Sequence, residues 1–121
     1  MNISKITNQG SGIMNEDALL IEKKIFGVFD GATSLDKYID PDGNTGGALA
    51  SSLAQSAFAK HDKQLKDLAL DANAAILKAM QEKNVDITNK HTLWSTGFAV
   101  IEITDTHINW LQISDCLVLF I

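Results

Sequence analysis

The chain has 121 residues, of which 45% are hydrophobic and 21% are charged, a composition typical of one globular domain. Its 15 acidic and 10 basic residues give a formal net charge of -5, and every basic residue is a lysine. This balance argues against nucleic-acid binding, because phosphate contacts require a clustered basic face. The absence of arginine also excludes a site that binds phosphate through a planar guanidinium group.

The single cysteine, Cys116, leaves no possibility of an internal disulfide, and a reducing compartment fits it best. Residues 1–20 contain no apolar segment typical of a signal peptide. No stretch of the sequence reaches the apolar length that a membrane helix needs. We therefore expect a cytoplasmic protein without membrane contact.

Three strands are predicted in the first part of the chain, near residues 2–8, 17–23 and 25–30. The second has apolar residues on both faces, which predicts that it is covered on both sides. The third ends on Asp30, which continues a face that is otherwise apolar. An Asp-Gly pair in this position is typical of a turn, and it also suits a rigidly held metal ligand.

Two helices follow a polar loop that spans residues 32–45. Apolar residues recur at intervals of three and four over 46–60 and over 63–83, the period of an amphipathic helix. Thr45 is a plausible N-cap for the first helix, since a threonine hydroxyl satisfies a free backbone amide there. We expect both helices to pack on one face of a sheet.

Alternating segments near 95–104, 107–113 and 116–121 predict three further strands, joined by tight turns. The order of strands, two helices and strands favours an α+β fold over a doubly wound parallel sheet. The sequence stops inside the apolar segment 116–121, which suggests a truncated chain or half of a domain. The chain would then associate with itself through an unpaired edge, or be only marginally stable.

Four acidic residues lie at the starts and ends of apolar strands: Glu16, Asp17, Asp30 and Asp115. Each of them taken alone is best explained as a loop or turn residue. Taken together they favour a metal site, because clustered carboxylates repel one another unless a cation is present. Oxygen ligands select hard ions such as Mg²⁺ or Mn²⁺, and the three histidines lack the spacing of zinc ligands.

Two other features are set aside. The segment DPDGNTGG at 40–47 begins like a calcium loop, but its glycine comes too early and Ser51 stands where such a loop ends on glutamate. Cys116 lies in an apolar segment without a paired histidine. It is therefore interpreted as a core residue rather than as a nucleophile.

Five segments resemble, in this order, the metal-dependent protein phosphatases of type 2C: NEDAL, FGVFDGATS, TGGALAS, WSTGFAVIEI and LQISDCLVLF. The resemblance spans nearly the whole chain but only about the first half of that family's catalytic domain. Residues 1–121 are therefore interpreted as the N-terminal portion of such a domain. The fold implied by the resemblance is an antiparallel β-sandwich flanked by antiparallel helices, and it would be incomplete here.

The resemblance also implies a binuclear Mn²⁺ or Mg²⁺ centre. Asp30 would bridge both metals, and the backbone carbonyl of Gly31 would bind one of them. Glu16 would serve the centre directly or through water, with Asp17 beside it. Asp115 matches an acid that the family associates with a weaker third metal.

The activity implied is hydrolysis of phosphoserine or phosphothreonine in a phosphorylated protein substrate by a metal-activated water. Two positions depart from the family pattern: Gly12 stands where many members carry a phosphate-binding arginine, and Ala32 where some carry a histidine. No residue is assigned to the substrate phosphate. The alternative is a non-catalytic domain of the same fold that binds a partner or a phosphorylated ligand without turnover.

Overall fold

The computed structural model describes residues 1–121 as one four-stranded antiparallel sheet with two helices. The elements are β1 (Ala18–Ile21), β2 (Ile25–Ala32), α1 (Gly46–Ala59), α2 (Leu65–Glu82), β3 (Ser95–Ile103) and β4 (Ile108–Ile113). The strands lie in the order β1-β2-β3-β4, and every neighbouring pair is antiparallel. The predicted α+β class is confirmed.

The central strand β2 divides its side chains between the two faces of the sheet. Ile25 and Phe29 are buried on the face that the helices cover, whereas Val28 points to the other face and is 43% exposed. Gly27 lies on the helix-covered face, where an added Cβ would come within 3.0 Å of the Phe29 ring and of Val100. The glycine therefore makes room for its large neighbours.

Helix α1 begins as predicted, because the Thr45 hydroxyl accepts a hydrogen bond of 3.2 Å from the amide of Ala48. Its buried face carries Ala50, Ala54 and Ala57, and such small side chains let the helix axis approach the sheet closely. α1 contacts β1, β2 and β3. The face of the sheet that it covers forms the core of the molecule.

Helix α2 packs mainly against α1 and also contacts β4. Leu65, Leu68 and Ala72 are buried in this interface, as their spacing predicts. Neither helix combines the length and the hydrophobicity that a membrane crossing requires.

An aromatic triangle joins the layers at the centre of the core. The ring centroids of Phe58 on α1 lie 5.7 Å from Phe29 and 5.1 Å from Phe98, and the two sheet residues are 6.1 Å apart. Tilted pairs at these distances add to the stabilisation that comes from burial alone. Truncating Phe58 to alanine would cost about 3–5 kcal/mol by the usual scale for core aromatics.

Two predicted strands, 2–8 and 116–121, do not form, and those predictions were wrong. A strand needs a backbone partner, and neither segment has one. The amide of Val118 donates instead to the side chain of Gln112, at 3.2 Å. Ile6 is 91% exposed and Leu119 is 81% exposed. The chain thus forms one sheet where the resemblance implies two.

The uncovered face of the sheet is apolar. With the two terminal segments it lines an open cavity of about 470 Å³, most of whose lining residues are hydrophobic. Ile21 and Trp110 are 40% and 57% exposed. The face that lacks helices therefore leaves large hydrophobic side chains in contact with water.

Candidate metal centre

Three of the predicted acids meet at one end of the sheet because of its register. Ala18 is paired with Phe29, so that Asp17 lies beside Asp30 at the next position. Asp30 in turn is paired with Gly97 on β3. The start of β1, the end of β2 and the start of β3 therefore lie side by side across this end of the sheet.

The end of β4 completes the group through a turn. Ser114 has a φ of 68°, a left-handed conformation that is uncommon for a residue with a side chain. Asp115 and Cys116, which follow this turn, lie close to Asp30. Single ligand atoms of the three side chains lie within 4.8 Å of one another.

Gly97 contributes by having no side chain. A Cβ there would lie 3.0 Å from the Cβ of Ser114 and 3.4 Å from the Sγ of Cys116. The first distance is short for a contact between two carbon atoms. Gly97 therefore lets the segment that follows β4 lie close against β3, with Asp30 paired beside it.

The pKa of Asp30 is raised above its ordinary value. Partial burial is the largest cause, followed by the negative charges of Asp17 and Asp115, a hydrogen bond with Asp17 and the negative charge of Glu16. A carboxyl group that resists ionisation because of neighbouring carboxylates gains when a cation joins the group. The cluster is therefore electrostatically suited to bind a positive charge.

Cys116 was interpreted as a core residue, but the structure places its half-buried thiol among the acids. Burial is the main cause of its raised pKa, to which the charges of Asp30, Asp115 and Asp17 add. A thiol held protonated in this way is a poor nucleophile. Its position next to Asp115 in sequence was the signal that could have located it.

The donors fit a hard divalent cation better than a soft one. The carboxylates of Asp17 and Asp30 line a cavity of about 300 Å³, hereafter the acidic cavity, together with Cys116 and the polar side chains of Thr7 and Asn8. Carboxylate oxygens are the ligands that Mg²⁺ and Mn²⁺ prefer. With its oxygen donors at one end of the sheet, the site suits either ion.

Glu16 has a different environment from the other acids. One carboxylate oxygen, Oε2, accepts a hydrogen bond of 2.6 Å from the hydroxyl of Thr33, and the other, Oε1, accepts one from the hydroxyl of Thr45. The backbone carbonyl of Glu16 accepts a hydrogen bond of 2.5 Å from the hydroxyl of Ser51. Sequence reasoning did not single out Thr33 or Ser51, since isolated hydroxyl residues carry no pattern.

Gly31 is buried where two backbone segments approach it. A Cβ at this position would lie 2.5 Å from the carbonyl oxygen of Glu16 and would also collide with the carbonyl oxygen of Gly47. Only a glycine therefore allows the end of β2 to pack between the backbone of Glu16 and the first turn of α1.

A second cavity, of about 380 Å³, lies on the Glu16 side and is hereafter the Lys37 cavity. Gly12, Glu16, Thr33 and Gly46 contribute to its wall, and Lys37 is the only cationic residue in it. No carboxylate lies within ion-pair distance of the Lys37 ammonium group. The cavity thus has a lysine that is free to meet an anion.

Comparisons with known proteins show a likeness to a solved structure but no match to a family model. No protein-family model matches the sequence, and no curated protein matches it. Among solved structures, the serine/threonine phosphatase PstP/Ppp of Mycobacterium tuberculosis is similar, with a TM-score of 0.67 and 18% sequence identity. The matched region covers 86% of this chain and 42% of that chain. The chain therefore shares the fold of the corresponding part of a serine/threonine phosphatase.

Proposed function

We propose that the chain is the N-terminal portion of a metal-dependent phosphatase that hydrolyses phosphoserine or phosphothreonine in proteins. The observation that carries the proposal is the meeting of Asp17, Asp30 and Asp115 at one end of the sheet. The likeness of the fold to a serine/threonine phosphatase supports it. The cluster is observed without reference to the likeness, since it follows from the register of the strands and from the turn at Ser114.

The metal in this proposal is Mn²⁺ or Mg²⁺, bound as a pair. The carboxylate of Asp30 and the backbone carbonyl of Gly31 would hold the metal, and the carboxylates of Asp17 and Asp115 beside them would complete the group of ligands. Glu16 lies near this centre, where its charge adds to those that raise the pKa of Asp30. A bound pair of divalent ions supplies an activated water and neutralises charge on the phosphoryl group.

The residues of this chain have further tasks in the proposed reaction. The Lys37 cavity is the place that we assign to the substrate phosphate and its neighbouring residues. Its lysine attracts the anion in a chain that has no arginine. The protonated thiol of Cys116 does not compete with water as a nucleophile.

The test compares Mn²⁺ binding by calorimetry in wild type, Asp30→Asn and Asp115→Asn. Asparagine keeps the shape of each side chain but removes the charge that holds a dication. We expect the affinity to fall by more than about tenfold in Asp30→Asn and by less in Asp115→Asn. Glu22→Gln, an exposed acid outside the cluster, is the matched control and should bind as wild type does.

Hydrolysis of a phosphoserine peptide is measured in parallel, with and without Mn²⁺, on the longest natural form of the protein. Mn²⁺-dependent release of phosphate that Asp30→Asn abolishes would support an enzyme. Mn²⁺ binding and peptide binding without turnover would instead support the non-catalytic domain. Equal Mn²⁺ affinity in wild type and Asp30→Asn would show that Asp30 is only a turn residue and would refute the proposal.

A further inference from the structure

Glu16 joins three segments that are far apart in the sequence. Its carboxylate accepts hydrogen bonds from Thr33, just after β2, and from Thr45, the N-cap of α1. Its own position precedes β1, which begins at Ala18. The side chain thus connects the entry to β1, the exit from β2 and the start of α1.

We propose that Glu16 is a positioning residue, which fastens the first turn of α1 to the end of β2 and so holds Asp30 and Gly31 in place, rather than a metal ligand. The link to the metal rests on the proposed function. The connection between α1 and β2 does not rest on the proposed function, because it consists of hydrogen bonds within the protein.

The hydrogen bonds form a relay that ends in the helix. The Thr45 hydroxyl donates to Glu16 and accepts from the amide of Ala48, at 3.2 Å. A negative charge next to the first turn of a helix is stabilised by the free amides there. Charge-assisted bonds of this kind are stronger than bonds between neutral groups.

Backbone packing reinforces the same junction. The Ser51 hydroxyl, one turn further along α1, donates to the carbonyl of Glu16. A Cβ on Gly47 would lie 2.8 Å from Oε1 of Glu16, and a Cβ on Gly31 would lie 2.5 Å from its carbonyl oxygen. Both glycines thus permit the close approach that the hydrogen bonds require.

The side chain of Glu16 also lines a different cavity from the candidate ligands. It lines the Lys37 cavity, whereas Asp17 and Asp30 line the acidic cavity. Both of its oxygens already accept hydrogen bonds from hydroxyl groups. A residue with these contacts influences the metal by fixing the backbone that carries Asp30.

The first test needs no metal. Thr33→Val removes one donor to Glu16 and nearly keeps the shape, while Thr33→Ser restores the hydroxyl. We expect amide hydrogen exchange to become about three- to tenfold faster in Thr33→Val, both at residues 30–32 and at residues 46–48. In Thr33→Ser the exchange rates should return to those of wild type. Faster exchange near Thr33 alone would overturn the fastening.

The second test compares Mn²⁺ affinities of Glu16→Gln and Thr33→Val. Glutamine can still accept from one hydroxyl and donate to the other, since hydroxyl groups do both. Positioning predicts an affinity within about threefold of wild type in Glu16→Gln and a loss of about three- to tenfold in Thr33→Val.

Ligation by Glu16 predicts the reverse order, and that result would overturn the proposal. Unchanged affinity in both variants would also overturn it, since the junction would then be structural only. If Asp30→Asn binds Mn²⁺ as wild type does, the proposed function fails, while the metal-free exchange experiment still decides whether Glu16 joins α1 to β2.

Discussion

The carboxyl groups of Asp30 and Glu102 lie towards opposite ends of the sheet, and their pKa values move in opposite directions. The pKa of Asp30 is raised, mainly by burial and by the charges of neighbouring acids. The pKa of Glu102 is lowered by hydrogen bonds from Asn109 and from His61. The Nε2 atom of His61 lies 2.5 Å from Oε1 of Glu102. The two residues therefore respond oppositely to pH.

We expect opposite stability differences for Asp30→Asn and Glu102→Gln. Ionised Asp30 destabilises the fold, so Asp30→Asn should be more stable than wild type near neutral pH. That advantage should vanish as the pH falls through the raised pKa towards about 4. Glu102→Gln should be less stable near neutral pH, and its deficit should vanish only below the unfolded value of about 4.3.

The measurement is urea unfolding of wild type and both variants between about pH 3 and pH 7, with a chelator present. The stability of each variant minus that of wild type is plotted against pH. Two such curves of the same sign would contradict the environments assigned to Asp30 and Glu102. Glu22→Gln, exposed and outside both groups, serves as the control and should follow wild type throughout.

Lys37→Gln tests the place assigned to the substrate phosphate. Removing the only cation of the Lys37 cavity should weaken binding of a phosphoserine peptide by roughly three- to tenfold, and the loss should shrink in high salt. Titration of the peptide, followed by NMR, provides the measurement. Lys66→Gln, at an exposed position of α2, should bind normally. An equal effect in both variants would indicate only a general effect of net charge.

The positions of the aspartates in the site could be predicted from the sequence, whereas the environment of Glu16 could not. Strand ends placed Asp17, Asp30 and Asp115 together, because their proximity follows from antiparallel pairing. The environment of Glu16 could not be predicted in the same way. It depends on where the hydroxyls of Thr33 and Thr45 come to lie, which is a matter of tertiary packing.

At the scale of elements, both helices were predicted nearly to their ends. Their three-and-four spacing extends over many residues, and Thr45 marks a start. The strands 2–8 and 116–121 were predicted from alternation alone, which cannot tell whether a partner exists. The other four strands were predicted from the same kind of pattern and are confirmed, because each has a partner in the sheet.

Gly46 at the start of α1 is a place where helix propensity and packing disagree. Alanine is intrinsically better in a helix by about 1 kcal/mol. An added Cβ at Gly46 would, however, collide with the indole ring of the buried Trp94. We expect Gly46→Ala to lower the free energy of unfolding by about 1–3 kcal/mol, measured by urea denaturation.

Ser52→Ala is the matched control, because Ser52 is exposed on the same helix. It should be neutral or slightly stabilising, as propensity alone predicts. A Gly46→Ala variant as stable as Ser52→Ala would show that the indole ring moves aside without cost.

For the molecule as a whole, we expect the uncovered face of the sheet to govern association in solution. Ile21, Val28 and Trp110 are each at least 40% exposed on the sheet, and β4 is an edge strand. Exposed apolar surface next to an unpaired edge favours association. We expect the chain to associate with itself at micromolar concentration, as seen by sedimentation velocity or light scattering.

Trp110→Lys should reduce that association by at least about threefold while changing stability little, since the side chain is largely exposed. Lys66→Glu, on an exposed part of α2, is a control that should associate as wild type does. A wild-type chain that stays monomeric at all concentrations would contradict the expectation.

The turn at Ser114 has a consequence for the kinetics of folding. Asp115 reaches Asp30 only when β2 and β4 are both paired with β3, so we expect their repulsion to develop late in folding. An interaction absent from the transition state changes the rate of unfolding and leaves the rate of folding nearly unchanged. Asp115→Asn should therefore slow unfolding of the metal-free chain, and a cation bound between these acids would lengthen the lifetime of the native state.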